Sequence, residues 1–133
     1  MKLDTNVPMV IGMLGELSVR KELHKQGYNV YVPICDTSQV DLIVEQDNGT
    51  FSKVNVKTVS KFTTRTSIQI NCRKHVNTDR VDCIAVYWPP DDIVAFVPYT
   101  NQERITLALK TAKNNQKQGR NWFWSYTDFP EFE

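Results

Sequence analysis

The chain has 133 residues, 41% of them hydrophobic, which suits one compact domain with a modest core. Its 16 basic and 15 acidic residues leave a net charge of +1, a balance that neither demands nor rules out a nucleic-acid partner and makes charge placement more informative than the sum. No apolar run approaches the roughly 18 residues of a membrane span, and three widely spaced cysteines (Cys35, Cys72, Cys83) without a CxxC or a secretory leader point to free thiols in a reducing cytoplasm.

Residues 1–8 form a polar lead-in. Val10, Met13, Leu14, Leu17, Val19 and Leu23 then recur at helical spacing, which predicts a helix over about 9–26, ended by Gly27. Gly12 and Gly15 sit inside it at a propensity cost of about 1 kcal/mol each, which close packing on a sheet explains. Glu16 follows Gly15 directly, so it has either a solvated exit or a chemical role. Residues 28–32 alternate up to Pro33 and read as the first strand. Two further runs, on either side of Asp47-Asn48-Gly49, read as a hairpin. Residues 67–71 form another short strand, and Arg73-Lys74-His75 a basic loop. Residues 81–88 are apolar enough for a central strand; the chain turns at Pro89-Pro90-Asp91-Asp92 and returns over 93–98. Thr100 and Glu103 make a capping-box pattern, and Ile105, Ala108, Leu109 and Ala112 an apolar stripe. They predict a second helix to about Gln118, with Lys110, Lys113 and Lys117 exposed and Gly119 at its end. The tail over 120–133 carries Trp122, Phe123, Trp124, Tyr126, Phe129 and Phe132 among acids, and either packs on the core or forms a subunit interface. His24 and His75 lack cysteine partners at zinc spacing.

The hairpin register follows from the pattern. With a three-residue loop and Gly49 in the left-handed conformation, Leu42 faces Val54 and Val40 faces Val56, and Val44 completes an apolar face. The other face carries Asp41 opposite Asn55, Lys57 next along, Ile43 opposite Lys53 and Glu45 opposite Phe51. A two-residue loop mixes the faces. The three-residue loop gathers a carboxylate, an amide and a lysine within about 5–8 Å, a cluster suited to a cation and a phosphate.

These pieces resemble the PD-(D/E)XK nuclease superfamily: Gly15-Glu16 on the first helix, Gly27-Tyr28 leading to Pro33, Val40-Asp41-Leu42-Ile43, and Val54-Asn55-Val56-Lys57-Thr58. The nearest forms are a homing endonuclease of a cyanobacterial group I intron and small archaeal Holliday-junction resolvases. The resemblance implies an α/β, restriction-endonuclease-like fold in which helices flank a central mixed sheet with an antiparallel hairpin, all in one domain over 1–133. It implies DNA as partner, a homodimer or homotetramer, and Mg2+ as cofactor, with Mn2+ as a substitute. Carried over by position, Asp41, Asn55 and the Val56 main-chain carbonyl are the metal ligands, Glu16 reaches the ion through water, and Lys57 orients or helps deprotonate the attacking water. Asn55 departs from the usual Asp or Glu, although the homing endonuclease also has an amide there; Glu45, two positions beyond Ile43 on the face of Asp41, offers a compensating carboxylate. Lys53, Lys61, Arg65, Arg73 and Lys74 are candidates for the DNA backbone, and Gln69, with Asn71, for base edges. Two other functions stand beside this one: a nuclease fold that binds DNA without cutting, which Asn55 favours, and an interaction domain using the aromatic tail.

Overall fold

The computed structural model describes residues 1–35, 39–111 and 120–132. Helix α1 (Pro8–Lys25) starts on Pro8, whose missing N–H costs nothing in a first turn. Its other end closes on Gly27 at φ +91°: the Gly27 N–H donates to the His24 carbonyl and the Tyr28 N–H to the Leu23 carbonyl, both at 3.0 Å. Those two bonds satisfy carbonyls the helix otherwise leaves open. Gly15, Val19 and Leu23 form the buried stripe at four-residue spacing. At Gly15 the helix backbone meets the sheet, since a Cβ there would lie 2.0 Å from Thr58 Oγ1. Gly12 departs from expectation: it is exposed, and a Cβ there meets nothing within 4 Å.

Five strands form one sheet in the spatial order β1 (Asn29–Tyr31), β2 (Leu42–Glu45), β3 (Phe51–Thr58), β5 (Cys83–Trp88) and β6 (Ile93–Pro98). Two more, β4 (Ser67–Asn71) and β7 (Arg104–Ala108), pair as a separate antiparallel ribbon. Within the sheet only β3 and β5 run parallel. A parallel pair needs a long crossover, and the segment carrying β4 supplies it. Strand β5 sends Cys83 and Ala85 into a core with α1, Leu42, Val44, Val54 and Phe96. It sends Ile84, Val86 and Trp88 into a second core with Ile68, Ile70, Ile105 and Leu107 of the ribbon. Cover on both faces is why this strand reads as an unbroken apolar run.

The mixed α/β class and the antiparallel hairpin are as expected; the cover on the second face is not. Residues 104–108, expected to be helical, form strand β7, with Ile70 opposite Ile105 and Ile68 opposite Leu107. Ile105 and Leu107 alternate inward while Arg104 and Thr106 face out, so a two-residue period overrides the helical one once β4 offers a partner. Leu109, Lys110 and Thr111 follow outside any helix, and the rest of that expected helix, 112–118 with Lys113 and Lys117, lies outside the described residues. Of the aromatic tail, Phe123 is buried under the ribbon and Phe129 under the helix side, where it meets Tyr28 and Phe96 edge to face at 5.1 and 5.3 Å. Cys72 and Cys83 are buried free thiols. No helix among the described residues is long and apolar enough to cross a membrane.

Candidate active site

The hairpin holds the expected register: Leu42 opposite Val54, Ile43 opposite Lys53, Glu45 opposite Phe51. Its loop closes with the Gln46 N–H donating to the Thr50 carbonyl at 2.8 Å and Gly49 at φ +84°. At the far end the ladder runs one bond past β2, from the Asp41 N–H to the Val54 carbonyl at 2.9 Å. There the backbone of the first strand leaves the sheet, and a side chain takes over the next rung: Asp41 Oδ2 accepts the Val56 N–H at 2.7 Å. The carboxylate is thereby fixed at the edge of β3, beside Asn55 and Val56.

Asn55 is 5% exposed. Its Nδ2 donates to the Gln39 carbonyl at 2.9 Å and to Asp41 Oδ2 at 3.2 Å, while its Oδ1 is buried with no hydrogen-bond partner. The orientation is forced, because a flipped amide would set its oxygen against two other oxygens. A buried polar atom left unpaired is uncommon and costs about 1–3 kcal/mol. The Val56 carbonyl faces the same edge, since the two-residue period aligns it with the Val54 carbonyl that accepts from Asp41. Among the described residues no three His, Cys, Asp or Glu side chains cluster as a metal site. The candidate ligands along this edge of β3 are all oxygens: the Asp41 carboxylate, the Val56 carbonyl and Asn55 Oδ1, the last on the side of its amide turned away from Asp41. Glu16, from α1, shares with Asp41 a pocket of about 120 Å3 walled by Val32, Pro33, Cys35 and Val40. An oxygen-only set with one orphaned acceptor fits a hard divalent cation.

Lys57 lies two residues beyond Asn55 on the same face and is half-buried. Burial lowers its pKa, the Lys74 ammonium lowers it further, and Cys72 and Asp41 pull the other way. Lys74 arrives on a 3₁₀ turn, Arg73–His75, that sequence reading leaves as a loop. That turn is tied to the site by Gln39, whose Nε2 donates to the Lys74 carbonyl at 3.3 Å and whose Oε1 meets His75 Nδ1 at 2.5 Å. Since Gln39 presents its oxygen, Nδ1 carries the proton, and His75 Nε2 is left buried without a partner. Burial first, then Lys57 and Lys74, hold the His75 pKa down at about 4.

Glu16, Asp41, Asn55, Lys57 and Lys74 therefore gather at one end of β3. Lys53 does not join them: its Nζ donates to the Asp79 carbonyl at 2.7 Å. Glu45 offers no compensating carboxylate, because it accepts from the Tyr31 hydroxyl at 2.8 Å and stands four residues, about 13 Å, along the strand from Asp41. Lys61 and Arg65 are exposed on the segment before β4. Gln69 and Arg73 line a shallow groove on the outer face of the ribbon. Gln39 and His75 are the residues sequence reading misses. Their partnership spans 36 positions, and no local pattern announces it.

The family model for PD-(D/E)XK endonucleases matches residues 9–129. A bacterial homing endonuclease of known structure superposes with a TM-score of 0.68 at 20% identity, over 90% of this chain and 85% of its own. A Holliday junction resolvase of Archaeoglobus fulgidus aligns at 0.49 and 14% identity, over 73% of this chain and 83% of its own. Among sequence relatives, Protein 5.3 of Escherichia phage T7 is 44% identical over 55 residues. That match takes in 41% of this chain and spans about half, 46%, of the phage protein. By a family match running through nearly its whole length, the chain belongs to the PD-(D/E)XK endonuclease family.

Proposed function

We propose that this endonuclease hydrolyses DNA phosphodiester bonds with Mg2+ as cofactor, Mn2+ serving in its place, from the site built by Asp41, Asn55, Val56, Lys57 and Glu16. One observation carries the reading: Asn55 Oδ1 is buried without a partner, beside a carboxylate that a backbone N–H holds in place. Asp41, Asn55 Oδ1 and the Val56 carbonyl would hold the ion, with Glu16 acting on it through water. Once bound, the ion supplies Lewis-acid polarisation of the scissile phosphate and a more acidic attacking water. Lys57 orients that water and steadies charge on the phosphate. Its lowered pKa brings the neutral amine, which can take a proton from water, closer to physiological pH. Lys74 adds a second cation where the phosphate sits, and Lys61, Arg65 and Arg73 follow the DNA backbone. The narrower assignment is to a homing-type or junction-resolving enzyme acting as a homodimer or homotetramer, since two strands are cut.

The amide at position 55 favours one competing reading, a nuclease fold that binds DNA and does not cut it. Supercoiled plasmid, linear duplex and a synthetic four-way junction, each incubated with Mg2+, Mn2+ or EDTA, separate the two. Cleavage with either cation, none in EDTA and none by Asp41→Ala is the expected result. Preference for the junction over linear duplex selects the resolving form. Binding without nicking under every condition selects the non-cutting module. Asp41→Ala cutting at the wild-type rate refutes the site.

A further inference from the structure

We propose that the β4–β7 ribbon is the sequence-reading element of this nuclease, its outer face lying in the major groove of duplex DNA with Gln69, Asn71 and Arg104 on base edges; the inference rests on the DNA-cleaving function proposed above. The ribbon is a fixed platform. Ile68, Ile70, Ile105 and Leu107 are all at most 3% exposed and anchor its inner face on the sheet. Its outer face therefore carries the alternate positions, with Gln69 opposite Thr106 and Asn71 opposite Arg104.

Every one of those four outer side chains can donate or accept a hydrogen bond. Among the described residues the side chains of Gln69, Arg73, Arg104 and Thr106 bond to nothing in the protein, and Asn71 only accepts the Arg73 N–H at 3.0 Å. Gln69, Asn71, Arg73 and Arg104, together with Thr63 and Glu103, line a groove with a volume of about 590 Å3. A surface meant for phosphate alone is uniformly cationic. This one mixes two arginines, two carboxamides, a threonine and a glutamate, the residue types whose pairings distinguish base edges: Arg with guanine, Asn or Gln with adenine, and Glu with the cytosine amino group. Dimensions agree. A two-stranded ribbon fits the major groove, about 12 Å wide. Same-face residues on one strand are about 6.8 Å apart, close to two base-pair steps of about 3.4 Å. The face is also continuous with the cutting site. β4 ends at Asn71, and the chain passes through Cys72 and Arg73 to Lys74, whose carbonyl accepts from Gln39, the residue whose own carbonyl accepts from Asn55. Bases read by the ribbon thus lie within a few steps of the scissile phosphate.

The test is selection from a duplex library with a randomised centre, bound in Ca2+ to suppress cutting, followed by sequencing of the retained DNA. It is run beside end-mapping of plasmid cleavage in Mn2+. Wild-type protein is expected to enrich a motif. Arg104→Ala should relax one position of it by about 5- to 150-fold, and Gln69→Ala a position about two steps away, with the rest intact. Arg104→Lys keeps the charge and loses the two-pronged fork, so it should relax the same position without altering the salt dependence of binding. Melting temperatures within about 2 °C of wild type show that the variants fold, since surface substitutions change stability little. Unchanged motifs in the variants, or wild-type binding without sequence preference, overturn the ribbon assignment even if the enzyme cuts. A motif that shifts in the variants of a protein that never cuts sustains the ribbon and refutes the nuclease reading. No binding and no cutting by wild type refutes both.

Discussion

Replacing Asn55 by the family's usual carboxylate exchanges metal-free stability for metal affinity. In Asn55→Asp the amide that donates to the Gln39 carbonyl at 2.9 Å and to Asp41 Oδ2 at 3.2 Å becomes an oxygen facing both. Two unit charges at that separation repel by about 5 kcal/mol at an effective dielectric of about 20. Asp41 is partly exposed, so solvent and the nearby Lys57 reduce the repulsion to about 2–4 kcal/mol. The lost bond to Gln39 adds about 1 kcal/mol. For a chain of this length about 1 kcal/mol moves the melting temperature by about 3–5 °C, so in EDTA the variant should melt about 10–20 °C below wild type. The deficit should ease as pH falls, because the crowded pair takes up a proton in the folded state that it does not hold when unfolded. A divalent cation removes the repulsion outright. At a hundred times its dissociation constant it restores about 2.7 kcal/mol, so saturating Mg2+ should raise the variant's melting temperature by about 8–13 °C and the wild type's by less. Cleavage should be preserved or increased. Scanning calorimetry of both proteins in EDTA and in Mg2+ reads the two effects together. Equal melting temperatures in EDTA, with no larger Mg2+ response in Asn55→Asp, would refute both the hydrogen-bond geometry and the role of position 55 as a ligand.

Lys57→Ala should abolish plasmid nicking in Mg2+ and Mn2+ while leaving DNA retained in a filter-binding assay; an active Lys57→Ala protein removes this lysine from the chemistry. His75 is 1% exposed and neutral when folded, with a pKa of about 4 against 6.5, so the stability it contributes is complete above pH 6.5 and lost as pH falls toward 4. The full loss is about 3 kcal/mol by linkage, and urea titrations of wild type and His75→Asn, which keeps a donor toward Gln39, should show that acid slope only in wild type. Gly15→Ala should lower the melting temperature through overpacking of about 1–3 kcal/mol on Thr58, and Gly15→Ala with Thr58→Ala should recover most of it. Gly12→Ala, in open space on the same helix, should instead stabilise by up to about 1 kcal/mol; a loss there contradicts the placement of its face.

The hairpin was legible because two constraints converge on it. One buried face forbids a slip, and Gly49 supplies the left-handed residue a three-residue loop requires. Helix α1 was legible from Val19, Leu23 and its Gly27 stop, but Met13, Leu14 and Leu17 of the expected apolar stripe are exposed, and Gly15 takes the buried position instead. Strand β7 was not. Thr100 and Glu103 imitate a helix start, and Ile105, Ala108 and Leu109 sustain the illusion, while Ile105 and Leu107 carry an equally valid two-residue period. What decides between them is β4, more than 30 residues upstream, whose Ile68 and Ile70 need partners to complete the second core. Local propensity contains no term for that pairing. Gly12 fails by the same route: a glycine tells of freedom or of close approach, and only the tertiary contact tells which.

The departure at position 55 makes sense only with Gln39 beside it. The Gln39 carbonyl is aimed at the edge of β3, and its side chain is committed to the Arg73–His75 turn, so the carbonyl cannot swing away without releasing His75 and the turn that carries Lys74. Any side chain at position 55 must therefore meet an acceptor. A carboxylate meets it with repulsion; a carboxamide meets it with a donor, and in doing so leaves its own oxygen turned away from the carbonyl and unpaired. The amide is thus the one short side chain that satisfies Gln39, hydrogen-bonds Asp41 and still presents an oxygen at the site. On this reasoning Asn55 and Gln39 are one feature. A variant that frees the turn, Gln39→Ala, retains the backbone carbonyl but loses its restraint, and should make Asn55→Asp less destabilising than it is in the wild-type background. A double-mutant cycle between the two positions, read by melting temperature in EDTA, measures that coupling, and additive effects would separate them.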